Sequence, residues 1–336
     1  MLDAAGLGPA QLPSRIAAEM QGARVRGYQP PGAPAGGCCV LLIPAPFKRA
    51  YIWDLLPEIS VVRQCRRRGF SVYLLEWQDP DAMEDRLGLA DDAVHLPLAA
   101  LDAVSAETGA AGVVLMGHSL GGTFAAILAA MHPRRVQSLV LVDAPLGFGP
   151  DRGGPLARAV TQVPHARVLR GVAGSPVPGC FITWLSMAAA PDVFVLQPWG
   201  DAVAGFGDAR AAAIHTRVRR WALDELAMPG QLFEEVLELL YREDRLVRGV
   251  LEIDGRCVSL DQLRGPVLAV VNPLGGVVPP ASVLAGLAAM PPGLARRVLW
   301  YEGEQGPALQ HLGPLVGPAA HARLWPEILE WVGATG

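Results

Sequence analysis

A run of four apolar residues, Val113-Val114-Leu115-Met116, leads directly into Gly117-His118-Ser119-Leu120-Gly121-Gly122 and then into the small-residue stretch Thr123 to Ala130. The order is strand, tight turn, helix, with a Gly-x-Ser-x-Gly motif at the turn. Few segments constrain a chain more. The serine must take a strained backbone conformation, and side chains two positions to either side would collide, so residues 117 and 121 have to be glycine. Ser119 then stands at a helix N-terminus whose free amides face a reacting oxygen, which makes Ser119 the expected nucleophile and the Leu120 amide an expected oxyanion donor. The competing reading of the motif is a structural turn in an inactive member of the same architecture. His118 is read as a packing residue, because neighbouring side chains at such a turn diverge.

Other short Val/Leu/Ile-rich runs repeat along the chain: Cys39 to Ile43, Ser71 to Glu76, Leu139 to Asp143, Val267 to Val271 and Val298 to Tyr301. Helical stretches separate several of them, at Pro57 to Arg68, Asp91 to Glu107, Leu120 to Met131 and Ala320 to Trp331. Strands that lack polar alternation and are joined through helices predict a mostly parallel, doubly wound sheet covered on both faces. Roughly 120 residues separate Asp143 from Val267, too long for one crossover, which predicts an inserted cap. The Gly/Pro-rich passage from Gly27 to Gly37 sets off an N-terminal segment. The expected organisation is therefore residues 1–37 as that segment, 38–148 and 262–336 as the core, and 149–261 as the cap.

In this architecture a base belongs beyond the last strand, at the C-terminal edge of the sheet. Of the seven histidines, His311 is the first after Val298 to Tyr301 and is the expected base. His321 follows the helical pattern of the final segment and is read as a surface or packing residue.

Composition narrows the function classes. With 28 basic and 32 acidic residues the formal charge is −4, which disfavours nucleic acid and anionic membrane surfaces as partners. The uncharged stretch from Gly265 to Ala295 holds six prolines and cannot form one membrane-spanning helix. The first twenty residues lack a basic start followed by an apolar stretch, so no export signal is expected. The five cysteines form no Cys-x-x-Cys pair, which suits reduced thiols and a cytoplasmic location. No His/Cys cluster has metal-ligand spacing, and the only glycine turn from strand to helix carries the serine, so neither a metal nor a dinucleotide cofactor is expected.

With these pieces in order, the chain from about residue 38 to 333 resembles the polyhydroxyalkanoate synthases. The resemblance rests on Pro44-Ala45-Pro46-Phe47-Lys48-Arg49-Ala50-Tyr51-Ile52-Trp53-Asp54-Leu55-Leu56-Pro57, on Gly69 to Trp77, and on Met228-Pro229-Gly230, Leu246-Val247-Arg248-Gly249 and His311-Leu312-Gly313 in the same order. It implies an α/β-hydrolase fold with a cap and an acyl thioester substrate carried on coenzyme A or an acyl carrier protein. A homo-oligomer or a partner subunit is also within what the resemblance implies.

Two departures bear on function. The family's nucleophile is cysteine, and here it is Ser119. A serine forms a more stable oxyester and needs a base to attack at all, so single transfer or hydrolysis is favoured over polymer elongation. The family's acid follows the strand matching Val267 to Val271 in an Asp-x-Ile-x-Pro pattern, where this chain has Gly275-Gly276-Val277-Val278-Pro279. Asp143, at the end of the strand after the elbow helix, is the expected replacement, with Glu302, Glu304 or no acid as alternatives. The second oxyanion donor is expected from Ala45 or Phe47, with Phe47 at the more usual position, since the intervening prolines have no N–H. Lys48, the only lysine, is read as solvated rather than phosphate-binding. Trp184, Trp199 and Trp221 are candidates for an acyl pocket. The expected function is serine-dependent acyl transfer, with a thioesterase or esterase, or a catalytically weak binding subunit of an acyl-processing complex, as alternatives.

Overall fold

The computed structural model describes residues 8–29, 37–204, 207–303 and 311–335. Among these, the strands are β1 (Arg15–Met20), β2 (Ala23–Gly27), β3 (Cys39–Ile43), β4 (Ser71–Trp77), β5 (Val113–His118), β6 (Val136–Val142), β7 (Leu251–Ile253), β8 (Arg256–Val258), β9 (Val267–Val271) and β10 (Arg296–Trp300). The α-helices are α1 (Val61–Arg67), α2 (Leu96–Thr108), α3 (Leu120–Met131), α4 (Gly154–Gln162), α5 (Ala166–Ala173), α6 (Gly179–Ala189), α7 (Gln197–Ala204), α8 (Ala209–Leu223), α9 (Gly230–Glu235), α10 (Pro280–Ala289), α11 (Gly313–Val316) and α12 (Trp325–Thr335). None of these helices is long and apolar enough to cross a membrane.

Eight strands form one sheet in the order β1-β2-β4-β3-β5-β6-β9-β10, and from β4 to β10 every neighbouring pair is parallel. Strands β3, β5 and β9 are buried along their whole length. Their alternate side chains go to opposite layers, as a period of two requires. Leu41, Leu115, Leu141 and Val271 pack with α2 and α3, whereas Val40, Met116, Val140 and Val270 pack with α1 and α12. This two-sided burial accounts for the absence of polar alternation in the sequence.

The sheet begins earlier than the expected boundary at Cys38. Strands β1 and β2 form an antiparallel hairpin that docks on β4, where Arg24 and Arg26 both bind Glu76. Between β6 and β9, the interval assigned to the cap divides in two. Helices α4 to α8 supply much of the cover of a central cavity, while Leu246, Leu251, Val258 and Leu260 join the same apolar layer as α2 and α3.

His321 is buried, and its Nε2–H donates to the Leu315 carbonyl at 2.7 Å. Burial pushes its pKa down to about 4. The folded state thus holds the ring neutral while the unfolded chain binds a proton near pH 6.5, so the stability this site contributes is full above that value and is lost as the pH falls toward 4. The difference from the ordinary imidazole value corresponds to about 3 kcal/mol. Urea denaturation at pH 7 and pH 4.5 is expected to show a smaller acid-induced loss for His321→Gln than for the unaltered protein. Equal losses would contradict this.

Candidate active site

Ser119 follows β5 directly and has φ 55° and ψ −136°, a strained conformation for a residue with a side chain. The surrounding glycines explain how the turn closes. A Cβ on Gly121 would lie 2.2 Å from the Ile43 carbonyl oxygen, one on Gly117 would lie 2.4 Å from Gly122 Cα, and one on Gly122 would lie 2.4 Å from Ala144 Cβ. The elbow is therefore pressed against the ends of β3 and β6. Helix α3, buried over all its residues, holds it there. As the first residue of α3, Leu120 has an N–H with no acceptor inside the helix, which suits the oxyanion role expected for it.

Asp143 follows β6 as Ser119 follows β5, and it too has a positive φ, 44°. Its N–H donates to the Val270 carbonyl at 3.1 Å, and its side chain is fully buried. His311 Nδ1 lies 2.5 Å from Asp143 Oδ2, with the imidazole N–H as donor. Burial pushes the Asp143 carboxyl above its ordinary value, while His311 and the Asn272 backbone N–H favour the ionised form. The carboxylate that meets His311 is thus Asp143. Glu302 is exposed, and Glu304 lies outside the described residues.

The place where the resemblance would put an acid has no room for one. A Cβ on Gly275 would lie 2.4 Å from the Val278 carbonyl oxygen, and one on Gly276 would lie 2.5 Å from Val193 Cγ2. The first obstacle is backbone, so a side chain there requires the turn itself to open.

Ser119, Leu120 and His311 share the wall of a cavity of about 400 Å³ with Ala45 and Phe47, the two residues expected to offer a loop amide. Leu156, Ile182, Leu185, Phe194 and Val236 give the rest of the cavity a mainly apolar surface. Lys48 departs from the solvated reading. It is half-buried in the cavity wall, pairs with Glu225, donates to the Ala222 carbonyl at 3.1 Å and lies over the rings of Phe47 and Trp221. Burial pulls the Lys48 ammonium below its ordinary value, against the pull of Glu225. Of the three tryptophans, Trp221 lines the cavity, whereas Trp184 and Trp199 are 60% and 70% exposed and do not line it.

His118 is a buried packing residue, as expected, but its partner was not foreseen in the sequence. Its ring is buried, its Nε2–H donates to the His311 carbonyl at 2.9 Å, and the two imidazole centroids are 4.6 Å apart. Burial, and then His311, hold His118 well below the ordinary imidazole range. Its position before the serine carried no sign of this, because the contact spans the whole distance to the last loop.

A family model described as the alpha/beta hydrolase fold matches residues 59–160. The chain is 27% identical over 292 residues to the poly(3-hydroxyalkanoate) polymerase subunit PhaC of Haloferax mediterranei, covering 87% of this chain and 58% of that protein. It is 26% identical over 308 residues to the subunit of the same name from Allochromatium vinosum, covering 90% and 83% respectively. Among solved structures, a hydrolase from Pseudomonas aeruginosa superposes with a TM-score of 0.56 at 17% identity, over 95% of this chain and 98% of that one. A thermophilic esterase from Thermogutta terrifontis gives 0.52 at 18% identity, over 97% and 99%. The fold is that of the α/β hydrolases. Within it, the expected resemblance to the polyhydroxyalkanoate synthases extends over most of the chain, which spans a little over half the length of the Haloferax relative.

Asp143→Asn is expected to lower the rate at which a fluorophosphonate modifies Ser119 by on the order of 10⁴, with thermal stability retained. Adding Gly275→Asp to that variant should not restore the rate, because the Val278 carbonyl excludes the new side chain. Recovery in the double variant would show that the turn opens and accepts the acid.

Proposed function

We propose that the chain is a serine acyltransferase acting on an acyl thioester carried by coenzyme A or an acyl carrier protein. The observation that carries this reading is the contact between His311 and the buried Asp143, at the wall of the cavity that Ser119 also lines. An imidazole held by a carboxylate on Nδ1 leaves Nε2 available to take the serine proton.

Ser119 Oγ attacks the thioester carbonyl as its proton passes to His311, and the resulting oxyanion accepts hydrogen bonds from the Leu120 amide and a loop amide, for which Phe47 is our choice. The C–S bond then breaks, the thiol leaves with the proton held on His311, and the acyl group stays on Ser119 as an oxyester. In the second half, His311 removes the proton of an acceptor hydroxyl or amine, the acceptor attacks the oxyester, and Ser119 regains its proton. The apolar cavity suits an acyl chain. The relatives' names concern poly(3-hydroxyalkanoate) polymerisation, and their likeness to this chain supports acyl transfer as the reaction class. Because an oxyester is less activated than a thioester, one transfer per thioester consumed is favoured over chain growth. The presence of an acid on His311 weighs against a catalytically weak binding subunit.

Incubation with a medium-chain acyl-CoA followed by intact-mass analysis is expected to show one added acyl group, mapped to Ser119 and absent from Ser119→Ala. Faster loss of the adduct with alcohols or amines than with buffer alone supports a transferase, and loss at the same rate supports a thioesterase. Release of coenzyme A at the buffer rate with no adduct would overturn the proposal.

A further inference from the structure

Most polar clusters outside the cavity have a visible structural use. Asp244 accepts from the Phe148 N–H, Glu238 accepts from the Ala166 N–H, and Arg170 joins Asp85 to Glu234. The His118 imidazole is different, because its acceptor is the backbone of the histidine assigned above as the base.

His311 is held at three places. Asp143 takes its Nδ1–H, helix α11 anchors the chain immediately after it with every residue buried, and the His118 Nε2–H takes its carbonyl oxygen at 2.9 Å. The third hold has a particular geometry. His118 is the last residue of β5, a strand buried along its whole length, and it is bonded directly to Ser119. The donor that fixes the His311 backbone and the nucleophile it serves are therefore adjacent residues on one rigid strand end. Asp143 acts from the next strand, across a different path. A carbonyl acceptor also defines the tautomer, since only a ring with its proton on Nε2 can make this bond. The neutral ring sits tilted by 38° against His311 and adds no charge to oppose an imidazolium forming there.

We propose that His118 is a positioning residue that sets the distance and angle of His311 relative to Ser119 through its hydrogen bond to the His311 carbonyl. The proposal rests on the serine–histidine reading given above. Displacement of a catalytic group by about 1 Å costs up to about a hundredfold in rate.

The test compares His118→Leu, which removes the donor, with His118→Gln, whose amide N–H can reach the same carbonyl. The readouts are the fluorophosphonate labelling rate at Ser119, and kcat and KM with p-nitrophenyl hexanoate. The leucine variant is expected to lose up to about a hundredfold in labelling rate and kcat, with KM within about threefold, and the glutamine variant to recover to within about threefold of the unaltered protein. If the leucine variant does not fold, His118→Asn takes its place, because its shorter amide falls short of the carbonyl. Unaltered rates without the donor, or a glutamine variant as slow as the leucine one, would overturn the positioning role. His311→Ala separates the two readings: labelling undiminished in that variant would overturn the serine–histidine assignment, and the role of His118 with it.

Discussion

The arrangement depends on two adjacent parallel strands, β5 and β6, each followed directly by a residue with a positive φ, Ser119 at 55° and Asp143 at 44°. Such a backbone costs about 1–3 kcal/mol at each residue and persists only where the surroundings over-determine it. Here they do. Gly117, Gly121 and Gly122 let the elbow lie against the ends of β3 and β6, and the Asp143 N–H is tied to β9 through Val270. The sharp turns bring a hydroxyl and a carboxylate out at the same edge of the sheet, and His311 arrives there from beyond β10.

The site is divided by chemistry as well as by geometry. Ser119 and His311 stand at one wall of a cavity whose other surfaces are mainly apolar, which suits the acyl chain of the proposed reaction. Lys48 brings a charge into this environment, and Glu225 and the Ala222 carbonyl compensate it. A paired, ring-flanked ammonium of this kind braces the loop after β3 against the start of the segment following α8. That loop also carries Ala45 and Phe47, so the bracing bears on where an oxyanion donor can stand.

Much of this is legible in the sequence. The strand-turn-helix around Ser119 has hard steric requirements, and hard requirements leave sequence signatures. The buried parallel strands read as unbroken apolar runs for the same reason. The hairpin of β1 and β2 escaped notice because it is short and carries Arg24 and Arg26 on one face, although Ala23, Val25 and Gly27 on the other face keep the alternation of a half-buried strand. The loss of an acid at Gly275 was visible as an absence, and Asp143 as a candidate by its place at a strand end; their spatial relation to His311 was not. Side-chain partners such as Lys48 with Glu225, and His118 with the His311 backbone, join residues far apart in the chain. No local pattern encodes such pairs.

The central claim is that His311, held by Asp143, serves Ser119. A crystal structure of the protein after reaction with a fluorophosphonate tests it most directly. The account predicts phosphorus bonded to Ser119 Oγ, His311 Nε2 within hydrogen-bonding distance of an oxygen of the adduct, and His311 Nδ1 still on Asp143. An adduct at another residue, or a His311 ring turned away from Ser119 with a different carboxylate on it, would contradict it.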